Sequence, residues 1–297
     1  MSAVYGLEHR PGWIYSHDMN IGYTSVADFG LAPTAELLAR AFADYFLKIP
    51  FTADALRQTG LMDHVDFAQS PVVLLDGEPA GAALMARRGP VSRVAGMALV
   101  PAARRRGAGR ALMERLLAEA RARGDRRMVL EVIEQNTAAV RLYEAMGFIK
   151  MRRLVGFAGP APAGLAPVPE LTEVKVREVA AVVSRQDGEI GWPWQISGET
   201  IAQLPPPAMG YALDGAWAVL LNPAGPVVTV RTLVVEGSER REERAVRLLH
   251  AVMTRHPAES WRVSPLWPEE LSGCFTRAGL ARQELTQWQM ARELMPH

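Results

Sequence analysis

The chain has 297 residues, twice the roughly 150 of a usual domain, so two domains are expected. Its 49% hydrophobic and 22% charged residues are globular composition and exclude a disordered chain. A net charge of +1 excludes a globally basic nucleic-acid binder, and the single cysteine, Cys274, excludes internal disulfides and cysteine-held zinc. One cysteine points to a reducing cytoplasm. Arginine supplies 30 of the 33 positive charges, with only Lys48, Lys150 and Lys175 as lysines, a bias that fits genomic base composition. There is no apolar run of about 18 residues, the length that would span a bilayer. The N-terminus carries Glu8, His9, Arg10, His17 and Asp18, so neither a signal peptide nor a membrane anchor is expected. Met19 offers an alternative start, which would make residues 1–18 an extension.

In chain order, the spacing of Leu37, Leu38, Ala41, Phe42, Tyr45 and Phe46 predicts an amphipathic helix over about 33–47. A shorter helix is expected from Thr52, as N-cap, to Leu61. Val72 to Leu75 reads as a buried strand, Asp76-Gly77 as a turn and Ala80 to Ala86 as the returning strand. Val91 to Val100 reads as the next strand. Leu112, Met113, Leu116, Leu117 and Ala120 then make the stripe of a helix that begins just after Gly109. Met128 to Ile133 is strand-like. Ala139, Leu142, Tyr143 and Met146 form one helix face, stopped by Gly147, and Phe148 to Phe157 is a closing strand. Strands alternating with helices predict a mixed α/β (α+β) domain.

Residues 159–169 hold Pro160, Pro162, Pro167 and Pro169 and no charge, the composition of an interdomain linker. It divides the chain into a first domain over 1–158 and a second over 170–297. The second half echoes the first. Leu75-Asp76-Gly77 returns as Leu213-Asp214-Gly215. Val94 to Val100 before an arginine-rich helix start returns as Val228 to Val235 before Arg240-Arg241. Residues 143–148 return as 275–280. Three matches in one order indicate a tandem duplication.

Chemistry concentrates between Val94 and Phe148. After the strand ending at Val100, Arg104-Arg105-Arg106-Gly107-Ala108-Gly109 opens directly into a helix. Glycines there let a ligand approach the backbone, and the orphan amides and helix dipole favour an anion. By itself the run is better read as a helix cap with a solvated basic face, since short glycine patterns are common. It lacks the Gly-Lys-Ser/Thr of a nucleotide-triphosphate loop and the three glycines of a dinucleotide fingerprint. Residues further along the chain narrow it: Leu130-Glu131-Val132 on the next strand, then Asn136, Ala139, Leu142-Tyr143 and Gly147-Phe148. Together these resemble the GNAT superfamily of N-acetyltransferases, through Arg104-x-x-Gly107-x-Gly109 and Asn136-x-x-Ala139-x-x-Leu142-Tyr143-x-x-x-Gly147-Phe148. The pattern of elements extends the likeness over most of 21–157.

The resemblance implies two GNAT-like domains, each a mixed, splayed central sheet flanked by helices. It implies acetyl-CoA in a cleft where two parallel strands part at a bulge in the fourth strand, here Val94 to Val100. Backbone groups near Ala98, Leu99 and Val100 would pair with the pantetheine arm and polarise the thioester carbonyl. Amides from Arg105 to Arg110 would hold the pyrophosphate, with arginine side chains, Arg104 and Arg106 among them, reaching outer phosphates. Asn136 would contact the CoA arm, and Tyr143 would protonate the departing thiolate. Glu131 matches the glutamate that serves as base in the ribosomal-protein alanine N-acetyltransferases; Glu134 is the alternative.

The second copy departs from the pattern. Its cradle segment reads Glu239-Arg240-Arg241-Glu242-Glu243-Arg244, without glycine and with carboxylates that repel a pyrophosphate. Phe275 stands in the place of Tyr143 and Pro268 in that of Asn136. The N-terminal copy is therefore expected to be the working one. In mycothiol synthase, a tandem member, the C-terminal copy works, so that activity does not carry over.

The nine arginines of residues 104–127 lack interleaved aromatics and read as a solvated helix face, with no nucleic-acid partner. The six histidines show no ligand spacing, so no metal is expected. Six of the seven tryptophans lie in the second half, where core filling is the default. The leading expectation is an acetyl-CoA-dependent acetyltransferase acting on a primary amine by direct attack. The alternatives are a protein N-terminal or lysine acceptor, or a non-catalytic acyl-CoA sensor.

Overall fold

The computed structural model describes residues 20–46 and 50–294, so the reading of 1–18 as an extension lies outside the described residues. The elements run β1 (Ile21–Ser25), α1 (Val26–Phe29), α2 (Leu31–Ala41), α3 (Ala53–Asp63), β2 (Pro71–Leu75), β3 (Glu78–Arg88), β4 (Val91–Leu99), α4 (Ala108–Ala122), β5 (Arg127–Ile133), α5 (Thr137–Ala145) and β6 (Ile149–Gly159). The second half continues with β7 (Thr172–Val174), α6 (Val176–Ile190), α7 (Gly198–Ile201), β8 (Met209–Leu213), β9 (Ala216–Leu221), β10 (Val227–Val235), α8 (Arg241–Arg255), β11 (Ser260–Pro268), α9 (Gly273–Arg277), β12 (Ala281–Arg282) and β13 (Gln287–Glu293). Two compact units result. Of the described residues, one holds those up to Gly60, His64–Met128 and Leu294; the other holds Leu61–Asp63 and Val129–Glu293. The dividing point falls within β5, and residues 159–169 lie inside the second unit.

In the first unit, β1, β2, β3 and β4 form an antiparallel meander. Its β2–β3 turn places Asp76 at φ 52° and Gly77 at φ 86°, the two left-handed positions that a short hairpin turn demands. The β3–β4 register slips between Leu84 and Met85, which pair with Gly96 and Val94, so Ala95 is a bulge. A bulge adds local twist and bends the strand that carries it. Gly81 lies opposite Leu99, and a Cβ there would strike Ala98 O and come within 2.9 Å of Leu99 Cα.

α2 stops at Ala41, short of the expected residue 47, and the reason is tertiary. In a longer helix the Ala41 carbonyl would accept the Tyr45 amide. Here the Tyr45 N–H bonds Phe42 O instead, and Arg104 Nη2 donates to Ala41 O at 2.8 Å. An arginine from another element thus satisfies the helix end. Phe42, Tyr45, Phe46 and Phe51 form an aromatic cluster beyond it, with centroid distances of 4.8 to 5.5 Å. α3 begins as expected, Thr52 Oγ1 accepting the Ala55 amide at 3.0 Å. Strand β1, which the periodicity does not reveal, pairs along the whole of β2.

The second unit carries a mixed sheet in the order β5-β13-β6-β11-β10-β9-β8-β7, with β12 also on β6. β6, encoded in the first half, lies between β13 and β11, both from the second half, and is antiparallel to each. β10 and β11 are parallel, paired only from Val227–Ser260 to Val230–Val263. Beyond that point β10 continues on β9 through a bulge between Val230 and Thr232. The bulge in β10 sits four residues before the strand's end, the position Ala95 holds in β4, so the repeated sequence is a repeated backbone device. The core combines Val179, Val182 and Val183 of α6 with Leu248, Leu249 and Val252 of α8, and Phe157 of β6 packs on Phe275 at 5.3 Å. Of the six second-half tryptophans expected to fill the core, Trp192, Trp194, Trp261 and Trp267 are buried, while Trp217 and Trp288 are half-buried.

Gly81 tests the tight strand contact beside the bulge. Gly81→Ala is expected to lower stability by about 1–3 kcal/mol, the usual cost of overpacking, read as a lower urea midpoint at unchanged m-value. An unchanged midpoint would show that β3 and β4 yield freely there.

Candidate active site: an anion cradle and a helix-borne tyrosine

Strand alternation assigns the backbone polar groups at the end of β4. The Val100 N–H bonds Ala80 O of β3 at 2.9 Å, so Leu99, one residue earlier, directs its N–H and C=O away from β3. Of Ala98, Leu99 and Val100, Leu99 alone offers an amide on that side. Gly96, next to the bulge, has nothing within 4 Å of where a Cβ would lie, so the strand surface there is open.

Pro101–Ala103 form a single tight turn, and the Arg104 N–H closes it on Pro101 O at 3.2 Å. The chain then passes through Arg105 at φ 58° and Gly107 at φ 83°, both left-handed, before α4 begins. Gly107 is the N-cap and makes no side-chain cap. Its carbonyl accepts the Ala111 amide at 3.0 Å, so the amides of Ala108, Gly109 and Arg110 are the donors a first helical turn leaves over. Arg105, Arg106 and Gly107 are exposed, Ala108 is fully buried and Gly109 half-buried, so the turn faces solvent while the first helical residue is rooted in the core. A helix start of this kind, with the helix dipole behind it, is suited to an anion.

The arginines of the cradle differ in what they do. Arg104 points back into the protein: Nε donates to Leu99 O at 3.1 Å, Nη2 to Ala41 O, and the guanidinium grips both oxygens of Asp44 at 2.6 and 2.8 Å. The Arg104 hydrogen bond holds the Asp44 carboxyl below its ordinary value, against the opposing effect of desolvation, and raises Arg104 in return. Arg104 therefore ties the end of β4 to the end of α2, an organising role that its sequence context does not signal, because Asp44 lies 60 positions away. Arg106 lies 3.8 Å from Asp76 across the hairpin turn, and Arg110 pairs with Glu114 at 2.9 Å one helical turn on. Arg105 stays exposed.

The remaining expected residues lie in the second unit. Asn136 is the N-cap of α5, its Oδ1 accepting the Ala139 amide at 3.3 Å. Tyr143 is buried on α5 with its ring 6.0 Å from Phe148. Gly147 follows the helix at φ 80°, the residue required for its left-handed stop. Glu131 is half-buried on β5. Glu134 is engaged elsewhere. Arg153 grips both its oxygens at 2.9 and 3.0 Å, Thr286 donates to it at 2.7 Å, and the guanidinium stacks 4.5 Å from the Trp288 ring. The Arg153 hydrogen bond, opposed by burial and aided by Thr286 and Lys150, holds the Glu134 carboxyl below its ordinary 4.5. A carboxylate held this way is a poor proton acceptor, which removes the ground for Glu134 as a base.

In the second copy, Arg240 takes the left-handed N-cap position at φ 48° and Glu242 and Glu243 occupy the first turn of α8. Phe275, in the place of Tyr143, is fully buried. Among the described residues no group of three or more His, Cys, Asp or Glu side chains could hold a metal. None of the described helices is long and apolar enough to cross a membrane.

A family model described as the acetyltransferase (GNAT) family matches residues 33–148, from α2 to the residue after Gly147. This region is a GNAT domain. No match is found among curated proteins. A protein from Pyrococcus horikoshii, described as an acetyltransferase, is similar over 97% of this chain and 94% of its own, at 16% identity and a TM-score of 0.65. A GCN5-related N-acetyltransferase from Sphaerobacter thermophilus is similar over 93% of this chain and 96% of its own, at 15% identity and a TM-score of 0.63. A tandem GNAT protein from the clavulanic acid biosynthesis pathway matches 94% of this chain with all of its own, at 16% identity and a TM-score of 0.59. At these identities the likeness is one of fold, and it extends over nearly the whole chain. GNAT membership of the first copy supports acyl transfer.

Glu134→Gln separates an ion-pair role from a base role. The folded carboxyl titrates below its unfolded value, so the pair's stabilisation is present above about pH 4.5 and lost as the pH falls below it. The substitution is expected to cost at most about 1 kcal/mol at neutral pH, to flatten that acid-side loss and to leave turnover within a few-fold. A hundredfold loss of turnover would return Glu134 to the chemistry.

Proposed function

We propose that the protein is an N-acetyltransferase that moves an acetyl group from acetyl-CoA to a primary amine by direct attack, with the N-terminal copy as the working one. The observation that carries this reading is the cradle: a turn through left-handed Arg105 and Gly107 into an uncapped, exposed helix start, inside the matched GNAT region. Those features fit a diphosphate. The amides of Ala108, Gly109 and Arg110 would hold it, with Arg105, Arg106 and Gly107 around them and Arg106 or Arg110 exchanging its surface carboxylate for a phosphate oxygen.

Bound acetyl-CoA supplies a thioester carbonyl as electrophile. The Leu99 amide, directed away from β3 at the bulged end of β4, suits the carbonyl oxygen, with Ala98 and Val100 holding the strand against β3. Asn136 uses Oδ1 as a helix cap, which leaves its Nδ2 to donate to the CoA arm. Glu131 takes a proton from the amine as the nitrogen–carbon bond forms. Tyr143 gives its phenol proton to the sulfur as the carbon–sulfur bond breaks, so each proton and each electron pair has a destination. A phenol keeps its proton at neutral pH, which suits an acid used at that point. Cys274, the only thiol, lies in the second copy, so a cysteine acyl-enzyme has no nucleophile in the first.

CoA release with a panel of amines tests the reading. Tyr143→Phe is expected to lower kcat by about 10²–10⁴ while the KM for acetyl-CoA stays within a few-fold. Gly107→Val, which forces a β-branched residue to φ 83°, is expected instead to raise that KM about tenfold or more. Tight acetyl-CoA binding with no amine consumed would leave an acyl-CoA sensor in place of an enzyme.

A further inference from the structure

The second copy has lost the cradle but kept the cleft. β10 and β11 stop pairing after Val230 and Val263, yet run on to Val235 and Pro268. Between the ends they leave lies a cavity of about 420 Å³. Leu233, Val234 and Val235 form one wall and Trp192 and Trp267, with rings 5.5 Å apart, form another. A volume of that size with mostly apolar walls and few polar groups is the usual make-up of a small-molecule site.

Charge decides the kind of molecule. Two carboxylates border the cavity, and each is paired: Glu242 with Arg277 at 3.0 Å and Glu270 with Arg152 at 3.1 Å. Glu243, beside them in the first turn of α8, is paired with Arg240 at 2.5 Å. Arg241, at the N-terminus of the same helix, also lines the cavity. Its Nε donates to Gly237 O, and it has no carboxylate partner among the described residues. With the neighbouring carboxylates paired, one exposed cation remains at the mouth of an apolar chamber. A diphosphate does not fit there, because Arg240 stands where the first copy has Gly107 and two glutamates occupy the first turn. Covalent chemistry does not fit either: burial pushes the Cys274 thiol, which also lines the cavity, up to about 12.

We infer that the cleft of the second copy binds an apolar monocarboxylate, its head at Arg241 and its body between the two tryptophans and the end of β10. The site stands independent of what the first copy transfers. It makes the second copy a ligand-binding module with a chemistry of its own.

The test uses the full chain and octanoate, monitored by calorimetry and by tryptophan fluorescence, since Trp192 and Trp267 line the site. Octanoate is expected to saturate at one site per chain and to bind at least tenfold more tightly than octan-1-ol. Arg241→Gln, at an exposed position, is expected to remove that tenfold preference and leave octan-1-ol unchanged. Ala245→Phe, which fills the cavity from α8, is expected to abolish binding of both. Excess coenzyme A is expected to leave octanoate in place. Failure of octanoate to saturate, equal binding by the wild type and Arg241→Gln, or displacement by coenzyme A would each overturn the inference.

Discussion

The hydrogen-bonding demand of one strand, β6, governs how the duplicated sequence is assembled. A strand inside a sheet needs partners for its donors and acceptors, and β6 finds them in succession, β13 along Ile149–Leu154 and β11 along Leu154–Gly159, with β12 at Phe157 and Ala158. Both partners are encoded in the second half of the chain, and β6 in the first. Phe157 of β6 also belongs to the core built around α6 and α8. The halves that repeat in sequence therefore do not correspond to the compact units of the structure.

A second constraint acts locally and twice. In both copies the fourth strand carries one extra residue four positions before its end. In the second unit the consequence is visible: β10 keeps β9 but gives up its parallel partner β11, and a cavity forms between the parted ends. A bulge adds twist to the strand that carries it, and the parting begins at the bulge. Identical backbone mechanics then meet different chemistry. In the first copy the strand leads to Gly107 and unfilled amides. In the second it leads to Arg240, two glutamates and Arg241, which has no carboxylate partner among the described residues. The two strands carry the same bulge and lead into different chemistry.

Arg104 shows how a motif residue acquires a second duty. Its position at the head of the Arg-x-x-Gly-x-Gly run suggests a phosphate ligand. Its side chain instead joins Leu99 O, Ala41 O and the Asp44 carboxylate. Charge-assisted bonds of this kind are short and directional, so they set geometry as well as add stability. The same contact ends α2 earlier than its apolar spacing predicts. Arg153 does the comparable work in the second unit, where it holds Glu134 ionised against Trp288.

Periodicity and turn chemistry decide local structure with bonds a few residues long, and these are legible in the sequence. The Thr52 cap, the Asp76-Gly77 turn, the strand before Val100, the helix after Gly107 and the Gly147 stop all arise from groups that lie close along the chain. The repeat is legible for the same reason, since each copy carries the same local signals in the same order. Long-range partners are a different matter. That β1 would pair with β2, that β6 would lie between strands of the other copy, that Arg104 would find Asp44 and that Glu134 would be locked by Arg153 depend on contacts between residues far apart in sequence. The paired glutamates and Arg241 around the second cleft belong to the same class. Only packing brings such groups within hydrogen-bond range, and no pattern along the chain encodes which of several equivalent arginines or carboxylates will meet.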